Sequence, residues 1–135
     1  MFKRMLRIML LGLLLQPLWA QAEEAAPAAD DYVNYIELKP FVANFDTVGK
    51  LRFLKCGVTI QVSSPAAHHA VNYHKADIRH EILMLLSSKQ EAQLSTVDAQ
   101  HLLAQEALKT VQKVLLQEEG EAFVSDLFFT SFVIQ

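Results

Sequence analysis

The 135-residue chain holds one cysteine, one tryptophan, four glycines and four prolines. A lone cysteine excludes a disulfide scaffold and a zinc ribbon, since both need several sulfur ligands. So few glycines leave no phosphate-cradling loop, and neither G-x-x-x-x-G-K-[ST] nor G-x-G-x-x-G occurs. The nucleophile elbow G-x-S-x-G and the zinc motif H-E-x-x-H are missing too. No uncharged apolar run reaches the roughly 20 residues of a membrane-spanning helix. Positive charge is scarce after residue 22, where nine bases face 15 acids, a net of −6. Such a balance repels phosphate backbones and argues against nucleic acid as a partner. What the chain has is apolar content, 52%, too much for a disordered polymer and enough for one domain.

Residues 1–22 carry the three parts of an export leader. Lys3, Arg4 and Arg7 form a positive start, and Ile8 to Leu15 is an eight-residue apolar core. Pro17 breaks it, and Ala20-Gln21-Ala22 supplies small residues for signal cleavage at Ala20 and Ala22. The uncharged stretch from Ile8 to Ala22 measures about 22 Å as a helix, short of the roughly 30 Å bilayer core. A cleaved signal peptide is the first reading and a short membrane anchor the second; both deliver the remainder across the inner membrane. Residues 23–31, Glu-Glu-Ala-Ala-Pro-Ala-Ala-Asp-Asp, have no apolar period and read as an acidic Ala/Pro linker.

The folded domain is expected over 32–135. Tyr32 to Phe41 is rich in β-formers, and Pro40 places it at a sheet edge or a strand end. Asp46-Thr47-Val48-Gly49 has turn chemistry. Arg52 to Ser63 alternates cleanly, with Leu54, Cys56, Val58, Ile60 and Val62 on the buried face. After Ser63-Ser64-Pro65, one helix is expected over about His68–Ser87, facing the sheet with Ile78, Ile82, Leu85 and Leu86. Ser95-Thr96-Val97-Asp98 has capping-box spacing. It opens a second helix to about Leu116, with Ala104, Leu108, Val111 and Leu115 on one face and Gly120 just past its end. Ala122 to Gln135 is a strand with bulky residues on both faces, which predicts a central or doubly covered strand. The class is therefore α+β, a small sheet with two helices packed on one face.

Chemistry-bearing residues are few. His68, His69, His74 and His80 fall at spacings of five and six rather than the three or four that share a helix face, so they predict a solvated helix start and no metal site. His101 reads as a surface residue. Cys56 belongs to the buried face and reads as a small hydrophobe. Asp77 with Glu81, and Glu118, Glu119 and Glu121, read as solvated acidic surface rather than acid–base pairs. No catalytic constellation is present, and no cofactor is expected.

Leu38-Lys39-Pro40-Phe41-Val42-Ala43-Asn44-Phe45 followed by Leu51-Arg52-Phe53-Leu54-Lys55-Cys56 resembles the opening of the FliL family of flagellar basal-body proteins. Ile78 to Lys89, Leu94-Ser95-Thr96 and Phe128 to Gln135 resemble its later blocks, in order. The resemblance implies a stomatin (SPFH)-like fold and a non-enzymatic role in flagellar rotation, swarming and chemotaxis. It implies a place on the periplasmic side of the inner membrane, at the basal body. The implied partners are the motor's stator complex, through the periplasmic linker of its peptidoglycan-anchored subunit, and further copies of the chain in a ring. No small-molecule substrate is implied. Family members usually have a full transmembrane helix where this chain has a short leader. A soluble periplasmic adaptor of the same fold, binding another envelope protein, is the alternative. Arg79, amid apolar helix positions, is a candidate for a carboxylate pair within the fold or for an assembly contact between protomers.

Overall fold

A computed structural model describes residues 32–45 and 49–135. The leader with Ala20 and Ala22, the linker 23–31, and Asp46 to Val48 of the expected turn lie outside the described residues. The elements are β1 (Asn34–Asn44), β2 (Phe53–Val62), α1 (Pro65–Tyr73), α2 (Lys75–Ser87), a 3₁₀ turn (Glu91–Gln93), α3 (Val97–Glu119) and β3 (Val124–Ile134). The fold is α+β, with a three-stranded antiparallel sheet in the order β1-β2-β3.

β2 sits in the centre because its sequence alternates without interruption. Leu54, Cys56, Val58, Ile60 and Val62 are all fully buried beneath the helices. Each outer strand holds one or two residues more than the ladder needs. On β1, Lys39 and Pro40 bulge opposite Gly57, so the inward residues change from Ile36 and Leu38 to Phe41 and Ala43. On β3, Thr130 and Ser125 are the extra residues. The helix-facing row of β3 is therefore Val124, Leu127, Phe129, Phe132 and Ile134, while Phe128 and Val133 point the other way and are exposed. This corrects the expectation for β3. Its apolar residues fall on both parities because a bulge switches the parity, and the strand is an edge, not the centre. Gly57 is needed where Thr130 bulges over it: a Cβ there would stand 2.4 Å from the Thr130 hydroxyl.

The helix expected over His68–Ser87 is two helices. Ser64 caps α1 by accepting from the Ala67 N–H at 3.0 Å, and Pro65 occupies its first turn. At His74 the backbone leaves helical values (φ −95°, ψ 18°), and α2 restarts at Lys75. Ile78, Ile82 and Leu86 are fully buried, and Leu85 is only half-buried. α2 packs on β1, α3 packs on β3, and α1 rests against the end of β2. The cap of α3 is Thr96, whose Oγ1 accepts from Ala99 N–H at 3.0 Å, one residue later than the expected Ser95. Ser95 instead donates to the Glu91 carbonyl. α3 runs three residues beyond the expected end, and its buried face is Leu103, Ala107, Val111, Val114 and Leu115. Of the expected face, Ala104 and Leu108 are half-buried at its margin. Gly120 closes the helix at φ 80°, where a side chain would be strained.

Candidate interaction surfaces

The expected site residues are spread over several places. His68 lies on the first turns of α1, where Nδ1 accepts from Asn34 Nδ2 at 3.0 Å and the Tyr32 hydroxyl lies 3.5 Å away. His69 is exposed, its ring 6.3 Å from that of Tyr73. His74 is buried at the α1–α2 break, with Nε2 2.8 Å from the carboxylate of Glu119 at the end of α3. His80 is exposed on α2, and His101 on α3. Among the described residues, no three His, Cys, Asp or Glu side chains come together as a metal site would require. Sequence reasoning missed the His74–Glu119 pair. A separation of 45 positions leaves no local signal, and only the antiparallel return of α3 brings them together.

Cys56 stands at the centre of the sheet under the helices, and burial pushes its thiol up to about 12. A thiol held protonated by loss of water is a poor nucleophile.

Arg79 has no carboxylate partner among the described residues, so of its two expected roles the ion pair within the fold is not formed. Its guanidinium donates to the carbonyls of Lys39 and, at 3.4 Å, Pro40, and lies 4.3 Å over the Phe41 ring. Those two carbonyls belong to the β1 bulge, where ladder bonding fails. The arginine therefore satisfies acceptors that the bulge leaves open, while its flat cation covers the aromatic ring below. On the same strand, Asn34 Oδ1 takes the N–H of Tyr35 at 2.8 Å.

β3 is treated differently along its length. Near its start, Gln112 of α3 donates to the Val124 carbonyl at 2.9 Å, and Asp126 Oδ1 accepts from the Leu127 N–H at 2.8 Å. Beyond Leu127 no side chain performs this service among the described residues. A groove of about 390 Å³ lies beside the early part of the strand, between Asp126–Phe129 and the first half of α3. Its lining is apolar at Val97, Ala104, Leu108, Leu127 and Phe129 and polar at Gln100, His101, Gln105 and Asp126.

The family model for "flagellar basal body-associated protein FliL" matches residues 35–135, which takes in nearly all of the sheet and helix layer. The chain belongs to the FliL family. A "flagellar protein FliL" of Aquifex aeolicus (strain VF5) is 27% identical over 96 residues, or 71% of this chain. The aligned part spans 57% of that relative's length. Within this FliL-family domain, the motif blocks read from the sequence fall on β1, β2, α2, the entrance to α3 and the second half of β3. Among the described residues, no helix is long and apolar enough to cross a membrane.

Proposed function

We propose that this protein is a non-enzymatic flagellar accessory protein that associates with the motor stator and supports rotation and swarming. The family match across residues 35–135 carries this reading. The export leader supports a place on the periplasmic side of the inner membrane, with residues 1–22 cleaved or kept as a short anchor and 23–31 as a spacer. Copies assemble side by side into a ring and bias the periplasmic linker of the peptidoglycan-anchored stator subunit towards its active form. Arg79 bears on that assembly by keeping the β1 edge shut, so that copies do not pair there. Deleting the gene is expected to reduce swarming and stator occupancy under load. Normal swimming, swarming and occupancy in the deletion strain would overturn the reading.

The short leader with its Ala20-Gln21-Ala22 cleavage pattern favours a second reading, a free periplasmic adaptor for another envelope protein. N-terminal sequencing of the exported protein separates the two. Retention of Met1 supports the tethered ring, and a mature start near Glu23 supports the adaptor.

A further inference from the structure

We propose that the outer face of the helix layer docks a second copy of this chain. In that pair α2 of each copy lies on α3 of the other, about a two-fold axis along the helices.

The face carries two stripes of opposite charge. Asp77 and Glu81 stand one turn apart on α2, and Lys109 and Lys113 one turn apart on α3. Ile78, Ile82 and Leu86 turn α2 inward, and Leu103, Ala107 and Val111 do the same for α3. The four charged residues therefore point out from the layer, and all four are exposed. None of them makes a hydrogen bond or an ion pair among the described residues, whereas Arg52, His74 and Lys89 each meet a carboxylate. Exposed apolar side chains flank the stripes. Met84 follows Glu81 on α2, and Leu102 and Leu116 lie beyond either end of the lysine pair.

The occupant follows from the way the stripes are arranged. His74 meets Glu119 and Lys89 meets Glu106, so α2 and α3 are antiparallel and Glu81 lies level with Lys113. A two-fold axis along the helices keeps every level and exchanges the two helices. It sets Glu81 against the partner's Lys113, with Asp77 and the partner's Lys109 one turn to either side, within side-chain reach. An axis across the helices would instead stack α2 on α2, acid on acid. A partner of one charge sign would meet a like-charged stripe on half of the face, so the pattern selects a second copy. The same axis brings Tyr32 of both copies to one end, which suits chains tethered at one membrane and free chains alike. Helices about 20 and 35 Å long, packed about 10 Å apart, offer roughly 500 Å² per copy and about 1,000 Å² in all. That is the lower bound of a specific interface, so the pair is reversible. Its exposed ion pairs set orientation more than strength. The pairing closes at two copies, and it goes beyond the motor reading without resting on it.

Sedimentation equilibrium of the protein, purified as the cell delivers it, is expected to show a monomer–dimer equilibrium that weakens at least threefold from about 50 to 300 mM salt. The double variant Asp77→Lys, Glu81→Lys makes both stripes positive, and Lys109→Glu, Lys113→Glu makes both negative. Each is expected to weaken pairing at least tenfold while keeping the native circular dichroism, since all four positions are exposed. An equimolar mixture of the two variants is expected to pair at least as tightly as the native chain, because each contact again joins opposite signs. Three results would overturn the inference. They are no association below about 1 mM, association indifferent to both double variants, which would move the contact to another surface, and a mixture that stays as weak as its components.

Discussion

The two edges of the sheet carry bulges and flank the same central strand, yet they end differently. β1 is covered at its start and at its bulge: Asn34 takes the N–H of Tyr35, Pro40 offers no donor, and Arg79 clips the bulge carbonyls. β3 is closed only as far as Leu127, where Gln112 and Asp126 stop serving it. A three-stranded sheet has to manage both edges to avoid indiscriminate pairing. The contrast teaches that this domain places side chains over the start and bulge of one edge and the start of the other, and leaves the second half of β3 unattended.

The largest expected effect comes from removing what β1 is clipped onto. Phe41 is almost wholly buried beneath Arg79, and Phe41→Ala should cost about 3–5 kcal/mol, read from urea unfolding. Arg79→Ala should follow at about 1–3 kcal/mol, since two bulge carbonyls lose their donor and the ring loses its cation. The same variant should make the protein associate beyond pairs at high concentration in analytical ultracentrifugation, because the β1 edge opens. A destabilised variant that associates no further than the native chain would show that the clip serves stability alone. On β3, Asp126→Ala uncaps one part-buried N–H and should cost about 0.5–1.5 kcal/mol. Phe128→Ser, on the bare face of the sheet, should shift stability by no more than about 0.5 kcal/mol.

The central strand offers a separate test between the edges. Because burial holds the Cys56 thiol up to about 12, the folded chain keeps its proton where an unfolded chain, with the ordinary value of 9.0, has released it. Stability from this group is present below pH 9 and is lost as pH rises toward 12. Cys56→Ala should therefore show a shallower fall in urea midpoint between pH 8 and 10.5 than the native chain, although it starts lower. Equal slopes would show that other groups set the alkaline limit.

How much of this was legible in the sequence depended on regularity. β2 follows a strict period of two and lies between partners, so its buried face could be read residue by residue. The outer strands could be read as strands but not as faces. The apolar residues of β1 and β3 change parity at Pro40 and Thr130, and periodicity cannot distinguish a bulged edge from a strand covered on both sides. The break at His74 was hidden because its backbone bonds nearly continue the helix: His74 N–H reaches Ala70 O, and Ile78 N–H reaches His74 O. The Arg79 clip was also out of reach, since an arginine near apolar neighbours announces a need for acceptors without saying that backbone carbonyls 39 residues away will supply them. The open half of β3 emerged only when ladder phase, bulge and side-chain caps were read together.

The supernumerary residue at Thr130 has a consequence for length changes. Deleting it would bring Leu127, Phe129, Phe132 and Ile134 into one unbroken alternation, so the shortened strand would keep every inward side chain on its present side. It would also remove the nearer of the two hydroxyls over Gly57, the one that now crowds out alanine, leaving that of Ser131. Position 57 can thus accept a methyl group most cheaply in a chain one residue shorter on the neighbouring strand. Substitution at one site and deletion at the other are two halves of a single permitted step.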